Sequence, residues 1–174
     1  GTMFLADLGA DVVKIENPKG GDDTRSFGPP FVDGVSSYFL SINRGKRSVC
    51  LDLKKADDVA IAKKLIAKAD VLVENFRPGV MEKLGLGYSE LKKKNKRLIY
   101  CSLTGFGRKE PHKPGYDLMM QGLSGIPSIT GPIDGEPYKC GASIADLVAG
   151  LNLAKECKIL HRQTEQRCHH HRCC

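Results

Sequence analysis

Nowhere does this 174-residue chain approach the ~18 consecutive apolar residues that a bilayer-crossing helix needs. No basic segment leads into an apolar one at its start, Gly-Thr-Met-Phe-Leu, so nothing there reads as a secretory leader. Tryptophan is absent and only 6% of the residues are aromatic. The basic side chains therefore lack an aromatic stacking platform, and with no reader motif a nucleic-acid partner is set aside. The seven cysteines have neither the even count nor the spacing of a secreted disulfide framework. Several catalytic signatures are missing too. Gly105-Phe106-Gly107 begins like a dinucleotide fingerprint, but position 110 is Glu, and Gly45-Lys46 lacks the flanking glycine and hydroxyl residue of a phosphate-binding loop. There is no Gly-x-Ser-x-Gly elbow and no histidine near Asp146 in sequence. Hydride transfer and triad hydrolysis have no local support.

What is present is a chain with a 41% hydrophobic share and a 27% charged share, long enough for one compact domain with a real core. It reads as a soluble globular protein with no membrane partner. Its net charge is +7. The densest basic run, Lys92-Lys93-Lys94-Asn95-Lys96-Arg97, reads as a solvated helix end, where cations are favoured. Cys50, Cys101 and Cys140 stand singly and read as reduced intracellular thiols. The terminal run from Cys168 through His169, His170 and His171 to Cys174 offers soft ligands but no core to fix them, so no metal site is assigned. The chain does not open on Met and its first segment reads as the middle of a helix, so a missing native N-terminus is expected.

Along the chain, a helical opening closes at Leu8-Gly9. Val12 to Glu16 reads as a strand, followed by a loop from Asn17 to Val35 that is rich in glycine and proline. A loop that long is usually functional or disordered. Ser48 to Leu53 alternates and is a second strand. Val59, Ala62, Ile66 and Ala69 recur at helical spacing, predicting an amphipathic helix between Asp57 and Asp70. Val71-Leu72-Val73 is a short strand, short helices start near Pro78 and Ser89, and Leu98 to Leu103 is a further strand. Strands separated by helices predict an α/β, mostly parallel sheet with flanking helices, whose ligands bind at the carboxyl ends of the strands. Asn17, Lys54, Asn75 and Phe76 all follow predicted strands.

The most informative segment is Gly141-Ala142-Ser143-Ile144-Ala145-Asp146-Leu147-Val148-Ala149-Gly150, which sets one acid among small and apolar neighbours. Such a carboxylate must be paired, hydrogen-bonded or used. Asp146 also suits a helix N-cap, and the residue alone leaves both readings open. Together with Leu8-Gly9-Ala10-Asp11-Val12-Val13-Lys14-Ile15-Glu16, Val73-Glu74-Asn75-Phe76-Arg77-Pro78-Gly79 and Pro114-Gly115-Tyr116-Asp117, this segment resembles the class III CoA-transferase family (CaiB/BaiF type), in order from about Gly1 to Leu151. The segments Gly20 to Phe31 and Ile129 to Pro137 look most like its succinyl-CoA:glutarate CoA-transferase branch.

That resemblance implies a Rossmann-like domain, the N-terminal part of a larger fold that forms interlocked homodimers. It makes Asp146 the nucleophile, attacking an acyl-CoA thioester to give an aspartyl anhydride and then an aspartyl-CoA thioester. Contacts to CoA are implied at Asn17, Leu51, Lys54, Asn75, Phe76 and Lys83. Asn17 and Lys83 stand where relatives carry Arg, and Lys83 offers a point charge without a fork. Tyr116 stands where the racemase branch has a histidine, and because a phenol is a poor general base at neutral pH this favours transfer over racemisation. Arg25 is a candidate for holding a dicarboxylate. No permanently bound cofactor is implied; the partners are a CoA thioester, likewise the substrate, and a small carboxylic acid. The compartment implied is the mitochondrial matrix in a eukaryote or the cytoplasm in a bacterium.

The expected organisation is a large-domain portion over residues 1–152, incomplete at both ends, and a non-homologous or disordered tail over 153–174. Relatives carry an opening strand before the position of Gly1 and a glycine-rich loop beyond this chain's end, so the chain as given is expected to show little activity. The rival readings are a non-catalytic CoA-binding remnant and a racemase-like enzyme.

Overall fold

The computed structural model describes residues 1–170, with side chains described through Arg162. The run Cys168–Cys174 weighed above as a metal ligand set lies outside those side chains. In chain order the elements are α1 (Thr2–Asp7), β1 (Val12–Glu16), β2 (Phe31–Val32), β3 (Val35–Ser36), α2 (Ser37–Asn43), β4 (Lys46–Cys50), α3 (Ala56–Ile66) and β5 (Val71–Glu74). They continue with α4 (Val80–Lys83), α5 (Tyr88–Lys94), β6 (Ile99–Ser102), α6 (Asp117–Ser124) and α7 (Ile144–His170). None of the helices among the described residues is long and apolar enough to cross a membrane.

The chain divides into two compact units, and the division is not contiguous in sequence. One holds residues 2–70 and 82–98. Its β1 and β4 pair in parallel with Val12 opposite Lys46 and Glu16 opposite Cys50, and the Leu51 N–H continues the ladder to the Glu16 carbonyl at 3.0 Å. This register starts β4 two residues before the alternating run Ser48–Leu53, because pairing with β1 rather than side-chain alternation sets the strand's start. Gly9, at φ +92, closes α1 as expected. Leu51, Ala62, Ile66, Leu86, Leu91 and Leu98 form the buried apolar core, so the predicted stripe on α3 faces inward. Asn95, ending α5, donates to the Ile66 and Ala69 carbonyls and closes the C-terminal end of α3.

The long Gly/Pro-rich segment after β1 is ordered by local polar contacts. Asp22 caps a short 3₁₀ turn over Asp23–Ser26. β2 and β3 pair as a hairpin around Asp33-Gly34, both at positive φ, the backbone of a tight type I′ turn. Ser36 then caps α2 by accepting the Phe39 N–H.

The other unit holds Gly1, residues 71–81 and the described residues from Ile99 onward. Here β5 and β6 are parallel, Val71 opposite Ile99 and Glu74 opposite Ser102, and α7 packs on β6 with Ala154 and Cys157 buried. The α/β class and the strand–helix–strand order are as expected. The strands hydrogen-bond as two parallel pairs and a hairpin, not as one continuous ladder.

Candidate active site

Asp146 is the third residue of α7 and does not cap it. Asp117, first residue of α6, performs that task from 29 positions away: its Oδ1 accepts the N–H of Ala145 at 2.9 Å and of Asp146 at 3.3 Å. Two of the donors orphaned at a helix start are thereby satisfied by a remote carboxylate. Gln121, one turn on in α6 and 1% exposed, donates to Asp117 Oδ2 at 2.6 Å and accepts the Cys140 N–H at 2.7 Å. It also donates to the Ala142 carbonyl at 3.3 Å. The loop that delivers Asp146 is thus held at 140, 142, 145 and 146 by two side chains of one helix.

With its capping role taken, the Asp146 carboxylate receives no hydrogen bond or ion pair among the described residues. Partial burial, and behind it the negative charge of Asp117, push its carboxyl above the usual aspartate range. The residue as a whole remains exposed, so solvent screens part of this penalty. An exposed, unpaired carboxylate with a fixed backbone can act as a nucleophile. The positive end of α7 favours negative charge at the same place.

Tyr116 stands at the N-cap position of α6 and is 69% exposed, so its ring is no core residue. Its place is set by backbone contact: a Cβ on Gly115 would lie 2.6 Å from Gly105 Cα, and the reverse distance is also 2.6 Å. Only glycine at both positions permits this approach.

Most of the implied CoA contacts sit at element ends; Lys54 does not follow its strand directly, because β4 ends at Cys50 and a turn leads from there to α3. Asn17 follows β1 directly, and its Oδ1 accepts the Lys19 N–H. Leu51 follows β4 and is 5% exposed, so its side chain belongs to the core while its backbone borders the loop. Lys54 is exposed and Lys83, ending α4, is exposed as well; neither ammonium has a protein partner among the described residues. Asn75 and Phe76 follow β5, where Asn75 donates to the Leu103 carbonyl at 2.5 Å and the Phe76 N–H meets buried Glu74 at 2.8 Å. Those bonds fix the turn and leave Phe76 43% exposed. Asp146, Tyr116, Asn75 and Phe76 belong to one unit; Asn17, Arg25, Leu51, Lys54 and Lys83 belong to the other.

Arg25 places its fork on Glu16, Nε to Oε2 at 2.9 Å and Nη2 to Oε1 at 3.0 Å, and stacks its guanidinium 4.0 Å from the Phe39 ring centre. Ser48 and the Asp22 N–H complete the shell around Glu16. Lys14 pairs with Asp22. The cavity beside this cluster, about 180 Å³, is smaller than the roughly 300–1,000 Å³ of small-molecule sites. Among the described residues no group of three or more His, Cys, Asp or Glu could hold a metal ion.

Residues 1–164 match the model for CoA-transferase family III. The chain belongs to the class III CoA-transferase family. The succinate–glutarate CoA-transferase of Agrobacterium fabrum is 48% identical over 157 residues, covering 86% of this chain and 39% of that enzyme. The acetyl-CoA:oxalate CoA-transferase of Acetobacter aceti is 52% identical over 154 residues, covering 87% and 39%. A crystal structure of a CaiB/BaiF family protein from Brucella suis superposes with a TM-score of 0.84 at 43% identity, over 94% of this chain and 45% of that one. This class III chain therefore spans about two-fifths of the length of the curated relatives it matches.

Two site residues escaped sequence reading. Asp117 was visible only as part of the Pro-Gly-Tyr-Asp segment, and the signal that marks it is an acid opening an apolar helix, the same pattern as at Asp146. Gln121 carried no signal beyond its place one turn later.

Proposed function

We propose that this chain is the nucleophile-bearing part of a CoA-transferase that moves CoA between succinyl-CoA and a dicarboxylic acid, with residues 1–152 belonging to its Rossmann-like domain. The observation that carries the reading is the Asp146 carboxylate, unpaired while Asp117 holds its backbone. One Asp146 oxygen attacks the thioester carbonyl, the C–S bond breaks, and CoA leaves as a thiolate. The thiolate attacks the Asp146 carbonyl of the mixed anhydride and expels the first acid as its carboxylate. The acceptor carboxylate then attacks the aspartyl-CoA thioester, forming a new anhydride and releasing the thiolate again. Attack of that thiolate on the acceptor's acyl carbon gives the new acyl-CoA and returns the Asp146 carboxylate. Every leaving and attacking group is an anion, so no histidine base is required.

Both named relatives use a dicarboxylate, glutarate or oxalate, which supports an acceptor of that class. A tyrosine at position 116, where the racemase branch has a histidine, supports transfer over abstraction of an α-proton. Exposed Leu123, Ile129 and Ile133 suit the homodimer that the resemblance implies.

Incubation with succinyl-CoA in the presence of hydroxylamine is expected to convert the Asp146 side chain to a hydroxamate, located by mass spectrometry in tryptic peptide 140–155. A hydroxamate on a different acid would move the nucleophile, and none at all would remove the covalent mechanism.

In this reading Asn17, Leu51, Lys54 and Lys83 of one unit contact CoA, with the two exposed ammonium groups meeting phosphates; Asn75 and Phe76 are further candidates by resemblance. Calorimetric titration with CoA should weaken as salt rises, because phosphate charge is being neutralised. Lys54→Ala or Lys83→Ala should each weaken binding about tenfold, the worth of one charge-assisted hydrogen bond. Binding indifferent to salt and to both substitutions would place the phosphates elsewhere.

A further inference from the structure

Two cysteines outside the reaction meet in the unit that carries Asp146. Cys101 is the third residue of β6, and Cys157 lies on α7, 56 positions later. Their sulfurs are 3.2 Å apart. A disulfide bond is about 2.05 Å long, so the pair has only about 1.2 Å to close. Both are free thiols. Cys50 and Cys140, the other described cysteines, have no sulfur facing them.

The two thiols differ in access. Cys157 is 1% exposed, whereas Cys101 is half-buried and can be reached by a small oxidant. Their chemistry differs in the same direction. The hydrogen bond shared with Cys157 holds the Cys101 thiol below the usual thiol range, against the opposing effect of burial. The same bond, with burial, pushes Cys157 up. Cys101 is therefore the more readily ionised and more accessible sulfur, with a protonated thiol waiting behind it.

We propose that Cys101 and Cys157 are a peroxide-responsive thiol pair that closes to a reversible disulfide and fastens α7 to β6. The Cys101 thiolate attacks one oxygen of hydrogen peroxide; the O–O bond breaks, an S–O bond forms, and the departing hydroxide takes up a proton as water. Sulfur loses two electrons and peroxide gains them, leaving a sulfenic acid. The Cys157 sulfur then attacks Cys101, forming the S–S bond and breaking the S–O bond, and its proton leaves with the hydroxyl as a second water. Glutathione or another thiol reverses the closure by exchange. The closed form ties the strand to the helix whose first turn presents Asp146, about three turns away.

The test is peptide mapping of the purified protein after brief exposure to hydrogen peroxide, alkylation and digestion without reduction. Tryptic peptides 98–108 and 156–158 should appear joined as the predominant linked pair and separate on reduction. Closure should raise the thermal midpoint by roughly 5 °C or more, since it shortens a long loop in the unfolded chain. In Cys157→Ser the sulfenic acid should persist on Cys101 and react with dimedone, whereas Cys101→Ser should leave Cys157 unmodified. Wild-type protein that yields no 98–108/156–158 link, or that pairs either cysteine mainly with another, overturns the proposal whether or not the variants fold. Dimedone capture on Cys157 in Cys101→Ser would overturn the assigned order of attack.

Discussion

Asp146→Asn is expected to reduce CoA transfer by about 10⁴-fold or more while leaving CoA affinity nearly unchanged, because the amide keeps the shape but has no anionic oxygen to attack a thioester. The backbone bonds from Asp117 to residues 145 and 146 do not involve the replaced group, so the helix start should survive. The substitution should also stabilise the folded protein at neutral pH. The folded-state pKa of Asp146 is raised, so its ionisation is more costly in the folded than in the unfolded chain, and stability falls as pH rises through that pKa. The amide escapes this loss. Its advantage should therefore be present at neutral pH and vanish once both states of the wild type are protonated. Steady-state kinetics and urea titrations at two pH values measure both effects. Transfer surviving in the Asn variant would end the nucleophile assignment. A variant less stable than wild type at neutral pH would show that Asp146 is held by contacts rather than strained by them.

The second large effect concerns Glu16, which is 5% exposed and surrounded by donors from Arg25, Ser48 and the Asp22 backbone. Arg25 is the main reason its carboxyl sits at about 2, below an ordinary 4.5; burial works the other way, and Ser48, Lys14 and the Asp22 N–H reinforce the lowering. Because the folded pKa is depressed, the contribution is complete above pH 4.5 and is lost as pH falls toward 2. At 1.36 kcal/mol per pH unit this amounts to about 3 kcal/mol. Asp22 adds to the same acid loss: burial opposes its ionisation, but Lys14 and the Thr24 donors bring it to about 2. Arg25→Ala should cost about 3 kcal/mol at neutral pH by stranding the buried carboxylate. Glu16→Gln should cost less and flatten the acid branch of the stability curve. Urea unfolding at pH 7 and pH 3 reads both, and an acid branch as steep in the Gln variant as in wild type would shift the effect to other carboxylates.

Much of the framework was legible because it is local. The apolar stripe of α3, the short strands β5 and β6, and the glycine closing α1 follow from spacing and backbone preference alone. The motif around Asp146 was legible from its composition: an acid in a small, apolar segment has few reasons to be there. What sequence left open was whether that acid capped its own helix. The answer depended on Asp117, a residue 29 positions away, and no local pattern specifies such a partner. Arg25 shows the converse. As a free cation in a glycine-rich loop it suggested a ligand contact, yet a buried Glu16 claims it, and that burial is a tertiary fact. The hairpin at the end of the long loop was not legible because Gly and Pro density masked the Asp33-Gly34 turn signal, and α2, which follows the loop, is marked only by its Ser36 cap.

The division of the chain has a consequence for how it is made. β5 leaves the translating ribosome before α4 and α5, yet its hydrogen-bonding partner β6 comes only after them. By contrast, the unit containing Glu16 has all its residues once Leu98 has emerged. That unit can close first, while the four-residue strand β5 waits with open edges for later sequence. Of the two units, the one bearing Asp146 is then completed later, the backbone at Asp146 held by Asp117 only when α7 follows α6 out. Interruption of synthesis between positions 102 and 144 would yield a chain with a finished ion-pair core and a bare parallel ribbon, a species fit for chaperone capture rather than chemistry.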